Sequence, residues 1–305
     1  MPLPAVPLLF ILYNQFEVVE VRMEFRNNAR PSPIAGTWYT DNPKKLSEEI
    51  DRYLESAKVS ADEYEGKLIG LVAPHAGHRY SGGTASYAYR LVQGIPRRLV
   101  VILSPFHPFS ASEFLTTAHH AYQTPLGAVP VEKELLTQLD DKMQEVGFSL
   151  AQVTEDEEHS IEIQLPFLQR AWQTEFSLLP VMVRTHDAKK LRKFAQALDE
   201  ILEGQDFLLI ASTDLSHFYP QDYAEVLDAE MLKRIKEMNP QGVLDAESEG
   251  SGSACGAGGV AAMLWTAQLA GANRAYILNY SSSADATGDR SSVVGYGAAA
   301  VFRKG

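Results

Sequence analysis

Two rhythms of apolar residues alternate along this chain. Short unbroken runs at residues 68–73, 99–103 and 207–211 predict strands buried on both faces, since a sheet covered by helices on each side gives a strand no polar face to expose. A fourth run, residues 178–183, is interrupted by Pro180, which predicts an edge or bulge position because proline has no N–H for the ladder. Between the runs lie amphipathic stretches of helical period at residues 84–92, 132–146, 161–172, 188–202 and 223–238. An earlier helix is predicted after Asn42-Pro43, a cap residue followed by a first-turn proline, with Leu46, Ile50, Tyr53 and Leu54 on one face. Beyond Cys255, residues 260–269 read as a buried helix, and residues 275–280 and 293–302 as two closing strands. This alternation predicts an α/β fold, a sheet with substantial parallel pairing and helices on its faces.

No internal repeat, low-complexity linker or long charge block marks a boundary, so residues 23–305 are expected to form a single domain. Residues 1–22 are the exception. Their apolar run at 6–13 has no basic region before it and no small-residue cleavage site after it, so it is no signal peptide. A wrongly assigned start, with Met23 the initiator, is the plainer expectation. No segment approaches the ~20 apolar residues that span a bilayer, so no membrane association is expected.

Composition narrows the functional classes. The 305 residues carry 27 Lys plus Arg against 39 Asp plus Glu, a net charge of −12, which argues against nonspecific nucleic-acid binding. One cysteine excludes an intramolecular disulfide and every Cys-rich zinc module. A cytoplasmic location is expected, and any metal site must use histidines and carboxylates with at most one thiolate.

The candidate chemistry collects where strands end. Residues 68–73 run into Pro74-His75-Ala76-Gly77-His78, residues 99–103 into Ser104-Pro105-Phe106-His107, and residues 207–211 into Ser212-Thr213-Asp214-Leu215-Ser216-His217. Ligands of open α/β sheets bind at the carboxyl ends of strands, and four of the eight histidines fall there. One histidine alone is more often a satisfied core residue; the group is better explained by a shared polar cleft. Cys255 heads an apolar helix after the Gly- and Ser-rich residues 249–254, where the helix N-terminus would favour its thiolate, although free cysteine is usually a small buried hydrophobe. The following Gly256-Ala257-Gly258-Gly259 lacks the strand and lysine of a phosphate-binding loop. His159 and Glu162, three apart, share a helical face and can bind metal or move protons, while the acidic residues 155–158 before them fit a first turn opposing the helix dipole. His119, His120 and His186 read as solvated surface.

Several of these motifs occur together and in order in one family. Ala35-Gly36-Thr37-Trp38-Tyr39, Ala73-Pro74-His75-Ala76-Gly77, the run His159-Ser160-Ile161-Glu162-Ile163-Gln164-Leu165-Pro166-Phe167-Leu168, Ser212-Thr213-Asp214-Leu215-Ser216-His217, Ala254-Cys255-Gly256 and Gly288-Asp289-Arg290-Ser291-Ser292-Val293-Val294-Gly295-Tyr296 resemble the Memo family from about Arg30 onward. The resemblance implies a mixed, largely parallel sheet like that of class III non-haem iron extradiol dioxygenases, with the site at strand ends. It implies metal ligands at His75, His107 and Cys255, with His159, Asp214 and His217 lining the same cleft. Two positions depart from the family pattern: His78 stands where a tyrosine is common, and Phe106-His107-Pro108 replaces a small residue, histidine and polar residue. Both lie beside expected ligands and bear on substrate preference.

Two imidazoles and a thiolate suit iron or copper, with zinc an alternative, and disfavour magnesium or calcium. The set differs from the two-histidine, one-carboxylate triad of non-haem iron oxygenases, so dioxygenase activity does not transfer with the fold. The leading expectation is a metal-dependent redox protein acting on an unidentified small molecule or peptide, with His159 or His217 as acid/base and Asp214 as orienter. The second is a metal-free enzyme with Cys255 as nucleophile, activated by His217 and Asp214. The third is a binding protein, because the resemblance extends to a eukaryotic signalling adaptor. Prokaryotic members of the family accompany a radical-SAM protein and an AMMECR-type protein, which implies those as partners.

Overall fold

The apolar runs become adjacent strands in an order the chain does not follow. In the computed structural model, which describes residues 28–305, β2 (Lys67–Ala73), β3 (Leu99–Ser104), β8 (Ser177–Val183) and β9 (Phe207–Ser212) lie in the order β2-β9-β3-β8, all parallel. The extension expected at residues 1–22 and the start expected at Met23 lie outside the described residues. β12 (Val293–Arg303) runs antiparallel beside β2 and pairs in turn with β10 (His217–Tyr219) and β11 (Arg274–Ser282). β4 (Phe114–Thr117) and β7 (Ala151–Val153) extend the sheet beyond β8. A separate small sheet joins β1 (Ala29–Arg30), β5 (Ala121–Thr124) and β6 (Gly127–Pro130).

The crossovers explain why both faces are covered. From β2 the chain passes through α2 (His78–Arg90) to β3, and from β8 through α5 (Ala188–Leu202) back to β9, travelling the opposite way along the sheet. Right-handed connections running in opposite directions place their helices on opposite faces. α1 (Pro43–Ser56) and α4 (Leu165–Trp172) pack with α2, whereas α8 (Ala257–Leu269) packs with α5 and α7 (Pro240–Glu249) and lies across β2, β9 and β3. α3 (Lys133–Glu145) packs on α5, and α6 (Gln221–Lys236) on β11 and β12. The expected mixed sheet with helices on both faces is therefore present, parallel through its four central strands and mostly antiparallel in its outer pairings. Its core is one contiguous cluster of buried side chains, with Leu71, Val101, Leu179 and Leu209 fully enclosed.

Two expectations need correction. Pro180 is not at an edge, because β8 has β3 on one side and β4 on the other. The β4 ladder pairs only Val183 and Met182 there, and the Thr116 hydroxyl donates to the Pro180 carbonyl at 2.7 Å. A side-chain bond stands where the proline would have interrupted the ladder. His119 is not simply solvated either: its ring nitrogens reach Asn28 Oδ1 at 3.2 Å and the Thr154 carbonyl at 3.0 Å.

Among the described residues, no helix is long and apolar enough to cross a membrane.

Candidate metal centre

The carboxyl ends of β2, β9 and β3 adjoin in the sheet, and it is at such strand ends that doubly wound sheets hold their ligands. His75 follows β2, Asp214 follows β9 and His107 follows β3, so positions far apart in sequence stand side by side. His159 enters from the turn ahead of a 3-10 turn at Glu162–Gln164. Cys255 precedes α8, whose glycines allow close approach: a Cβ at Gly256 would lie 2.7 Å from the Ser212 carbonyl, and one at Gly259 only 3.3 Å from Leu103. The Gly-rich run is a packing device that seats Cys255 against the strand ends.

His75, His107 and His159 each offer a ring nitrogen, and these atoms lie within 4.8 Å of one another. Among the described residues, this is the group of His, Cys, Asp or Glu side chains so placed. His107 and His159 stack with centroids 4.7 Å apart and planes at 16°, and His75 meets both nearly edge-on. Trp38 covers the outer face of the stack, 4.1 Å from the His159 centroid. Cys255 lies next to this trio and outside it. Its Sγ is 3.1 Å from His75 Nε2 and accepts the Asp214 N–H at 3.3 Å.

The three rings are held by two kinds of support. His75 Nδ1 is 3.1 Å from the Ser212 hydroxyl, which donates to the Ser160 carbonyl at 2.6 Å and accepts from Gln164 Nε2 at 2.7 Å. Tyr89 in turn donates to Gln164 Oε1 at 2.6 Å. His107 and His159 share a carboxylate instead. Buried Glu158 accepts from His107 Nδ1 at 2.9 Å, from the backbone N–H groups of His107, His159 and Ser160, and lies 3.3 Å from His159 Nδ1. Behind Glu158, Arg30 donates to its carbonyl and pairs with Asp156 at 2.8 Å and Glu162 at 2.6 Å, all fully enclosed. Tyr39 and Ser32 also donate to Glu162, and Tyr122 to Asp156.

The electrostatics follow from this arrangement. Burial, with the adjacent His159 and His107 rings, holds the His75 pKa well below its ordinary value. Burial likewise lowers His159, to about 4, although Glu158 opposes it. Burial would lower His107 too, but its hydrogen bond to Glu158 and the charges of Glu158 and Asp214 together offset this and raise it. Of the two stacked rings, His107 is thus the more basic. Burial would raise Glu158, yet the His107 N–H and the facing imidazoles keep it well below the carboxylate range. Burial pushes Asp214 up to about 7 against two backbone N–H groups, those of His75 at 2.7 Å and Ala76 at 3.3 Å.

The expected site residues sort as follows. His75, His107 and His159 come together, His159 as a member of the nitrogen trio. Asp214 turns its carboxylate to the backbone of the His75 loop. His217 stands on β10, its Nδ1 2.8 Å from the Leu215 carbonyl. Three expectations from sequence fail. The Cys255 thiol is pushed well up by burial, and by Asp214 beside it, instead of being lowered by the helix terminus. Glu162 does not work with His159, because it faces Arg30, Tyr39 and Ser32. Residues 155–158 are no acidic first turn opposing a helix dipole: they precede the 3-10 turn at Glu162–Gln164, with Asp156 and Glu158 buried and Glu155 and Glu157 exposed. His78, the departure beside His75, is 1% exposed and bonded to Glu49 at 3.1 Å.

A sequence profile described as Memo-like protein matches residues 30–300, so the chain belongs to the Memo family. A MEMO1 family protein of Methanopyrus kandleri is 35% identical over 285 residues, 90% of this chain and 99% of that one. One from Methanothermobacter thermautotrophicus is 34% identical, covering 88% and 98%. The crystal structure of an uncharacterized Escherichia coli K12 protein shares the fold, with a TM-score of 0.52 and 15% identity over 76% of this chain and 99% of that one.

Proposed function

We propose that this protein binds a redox metal, iron or copper with zinc an alternative, at His75, His107 and His159, with Cys255 as a further donor beside His75. The observation that carries the reading is the convergence of three ring nitrogens, with the far nitrogens of His75 and His107 tied to Ser212 and Glu158 and that of His159 3.3 Å from Glu158. Metal-binding histidines are oriented in this way, by a carboxylate or neutral acceptor on the other nitrogen. The donors fit soft or borderline metals, and imidazoles kept neutral by burial are ready to coordinate. Charge points the same way. Asp156, Glu158 and Glu162 are buried around the single guanidinium of Arg30, leaving excess negative charge that a cation in the site would balance.

Iron or copper at this position would supply electron-transfer or oxygen chemistry to a small-molecule or peptide substrate. His217 would act as the base: burial lowers its pKa, and its Nδ1–H is committed to Leu215, which leaves Nε2 free to take a proton. Asp214 holds the loop that carries His75. Participation with a radical-SAM and an AMMECR-type partner belongs to the same proposal.

A second reading has one observation of its own, the 3.1 Å approach of Cys255 Sγ to His75 Nε2, a thiol beside a base. In that reading the activating group is His75 and not His217 with Asp214. Elemental analysis of untagged, anaerobically prepared protein separates the two. The metal reading expects near-stoichiometric metal that falls sharply in His75→Ala and His107→Ala. Equal metal content in these variants and the parent would remove it. The nucleophile reading expects rapid alkylation of Cys255 that depends on His75 alone.

A further inference from the structure

The hydrogen bonds around His75 determine which of its nitrogens carries the proton. Ser212 ends β9 and is buried, with three polar neighbours around a hydroxyl that has one proton and two lone pairs. The Ser160 carbonyl, at 2.6 Å, can only accept, so the hydroxyl proton goes there. The orientation of Gln164 is equally constrained. Its nitrogen faces the Pro74 carbonyl at 3.0 Å, which can only accept, and its oxygen faces the Tyr89 hydroxyl. Gln164 therefore donates its second N–H to Ser212 and fills one lone pair. What remains on Ser212 is a single lone pair, 3.1 Å from His75 Nδ1.

We infer that Ser212, held by Gln164 and Tyr89, is a positioning residue that fixes His75 as its Nδ1–H tautomer and turns the Nε2 lone pair into the site. The opposite tautomer would leave the His75 and Ser212 lone pairs facing each other in a buried place, which is costly. With Nε2 unprotonated, the Cys255 S–H donates to it, in keeping with their 3.1 Å separation. That His75 Nε2 serves a metal rests on the proposal above; the tautomer itself is a property of the metal-free chain.

The test uses full-length, metal-free protein labelled with 15N at histidine, read by long-range 1H–15N correlation of the ring nitrogens, with zinc titration as a separate measurement. The parent is expected to show His75 as Nδ1–H. Ser212→Ala removes the acceptor, and the ring should pass to the Nε2–H form, donating to Cys255 Sγ. Ser212→Thr keeps the hydroxyl and should keep the parent tautomer. Zinc affinity should fall about tenfold to a hundredfold in the Ala variant and recover in the Thr variant. A parent His75 in the Nε2–H form overturns the inference whether or not any variant folds, and so does an unchanged tautomer in Ser212→Ala. If the parent is Nδ1–H and the Ala variant switches while neither binds zinc, the positioning role stands and the metal reading falls. Zinc binding by a parent whose His75 is Nε2–H gives the reverse outcome.

Discussion

The two halves of the candidate centre hold the same kind of ring by different physics. On one side a neutral chain, Tyr89–Gln164–Ser212, supports His75 through hydroxyls and an amide. On the other, a carboxylate supports His107 and His159 and is itself framed by a buried guanidinium with two further carboxylates. The neutral side fixes geometry and tautomer without adding charge. The anionic side fixes geometry and also sets the local potential, raising His107 while burial depresses His159. A site built from two neutral supports would orient its rings equally well but would lack the negative surplus that favours a cation.

The comparison predicts an unequal response to disruption. Arg30→Met keeps much of the side-chain volume but leaves Asp156 and Glu162 buried without their cation. Removing one partner of a buried ion pair costs about 3–5 kcal/mol, a fall in melting temperature on the order of 10 °C for a chain of this size. Tyr89→Phe, at the back of the neutral side, removes one hydrogen bond and should cost about 1–2 kcal/mol. Equal melting temperatures for these two variants would abolish the distinction. Adding Glu162→Gln to Arg30→Met should restore part of the loss, since it removes one of the stranded charges.

Glu158→Gln is the next largest effect, and it is read in metal affinity. The carboxylate accepts on both oxygens, from the His107 N–H on one and from the His159 and Ser160 N–H groups on the other. Either orientation of the amide therefore puts an NH2 group against a donor. Zinc affinity, measured by chelator competition at neutral pH, should weaken about a hundredfold, the upper end of such effects. Affinity unchanged within error would mean that Glu158 supports the turn and not the rings.

How much of this could be read beforehand depends on how local the signal is. The strands and the histidines at their ends were legible because an apolar run that stops at Pro74-His75 or Phe106-His107 is a contiguous pattern. The role of Glu158 was not. Four adjacent acids at residues 155–158 show no periodicity, and only the folded chain reveals that Asp156 and Glu158 turn inward. Arg30 was invisible for another reason: its partner Asp156 lies 126 residues away, and nothing local marks an arginine as fully buried. For Cys255 the local argument from the helix terminus was sound in kind but weaker than burial against the strand ends. His159 was placed in the cleft by the family resemblance, and its position in the nitrogen trio emerged only when the chain folded.

The last effect is one of pH dependence and concerns Asp214, which belongs to neither support. Its Oδ1 accepts the backbone N–H groups of His75 and Ala76, and an asparagine carbonyl oxygen can do the same, so Asp214→Asn should melt cooperatively. What should change is the pH dependence. Burial raises the folded-state pKa to about 7 from the ordinary range near 4, so between those values the unfolded chain releases this proton more readily than the folded one. The sign is then fixed: the stability that this group contributes is complete below about pH 4, falls as pH rises, and is lost above about pH 7. Asparagine has no such transition. In metal-free protein the melting temperature of Asp214→Asn relative to the parent should therefore climb from pH 4 to pH 7 and level off beyond. A difference that stays flat across the window would mean that Asp214 is ionised throughout, with the two backbone N–H groups outweighing burial.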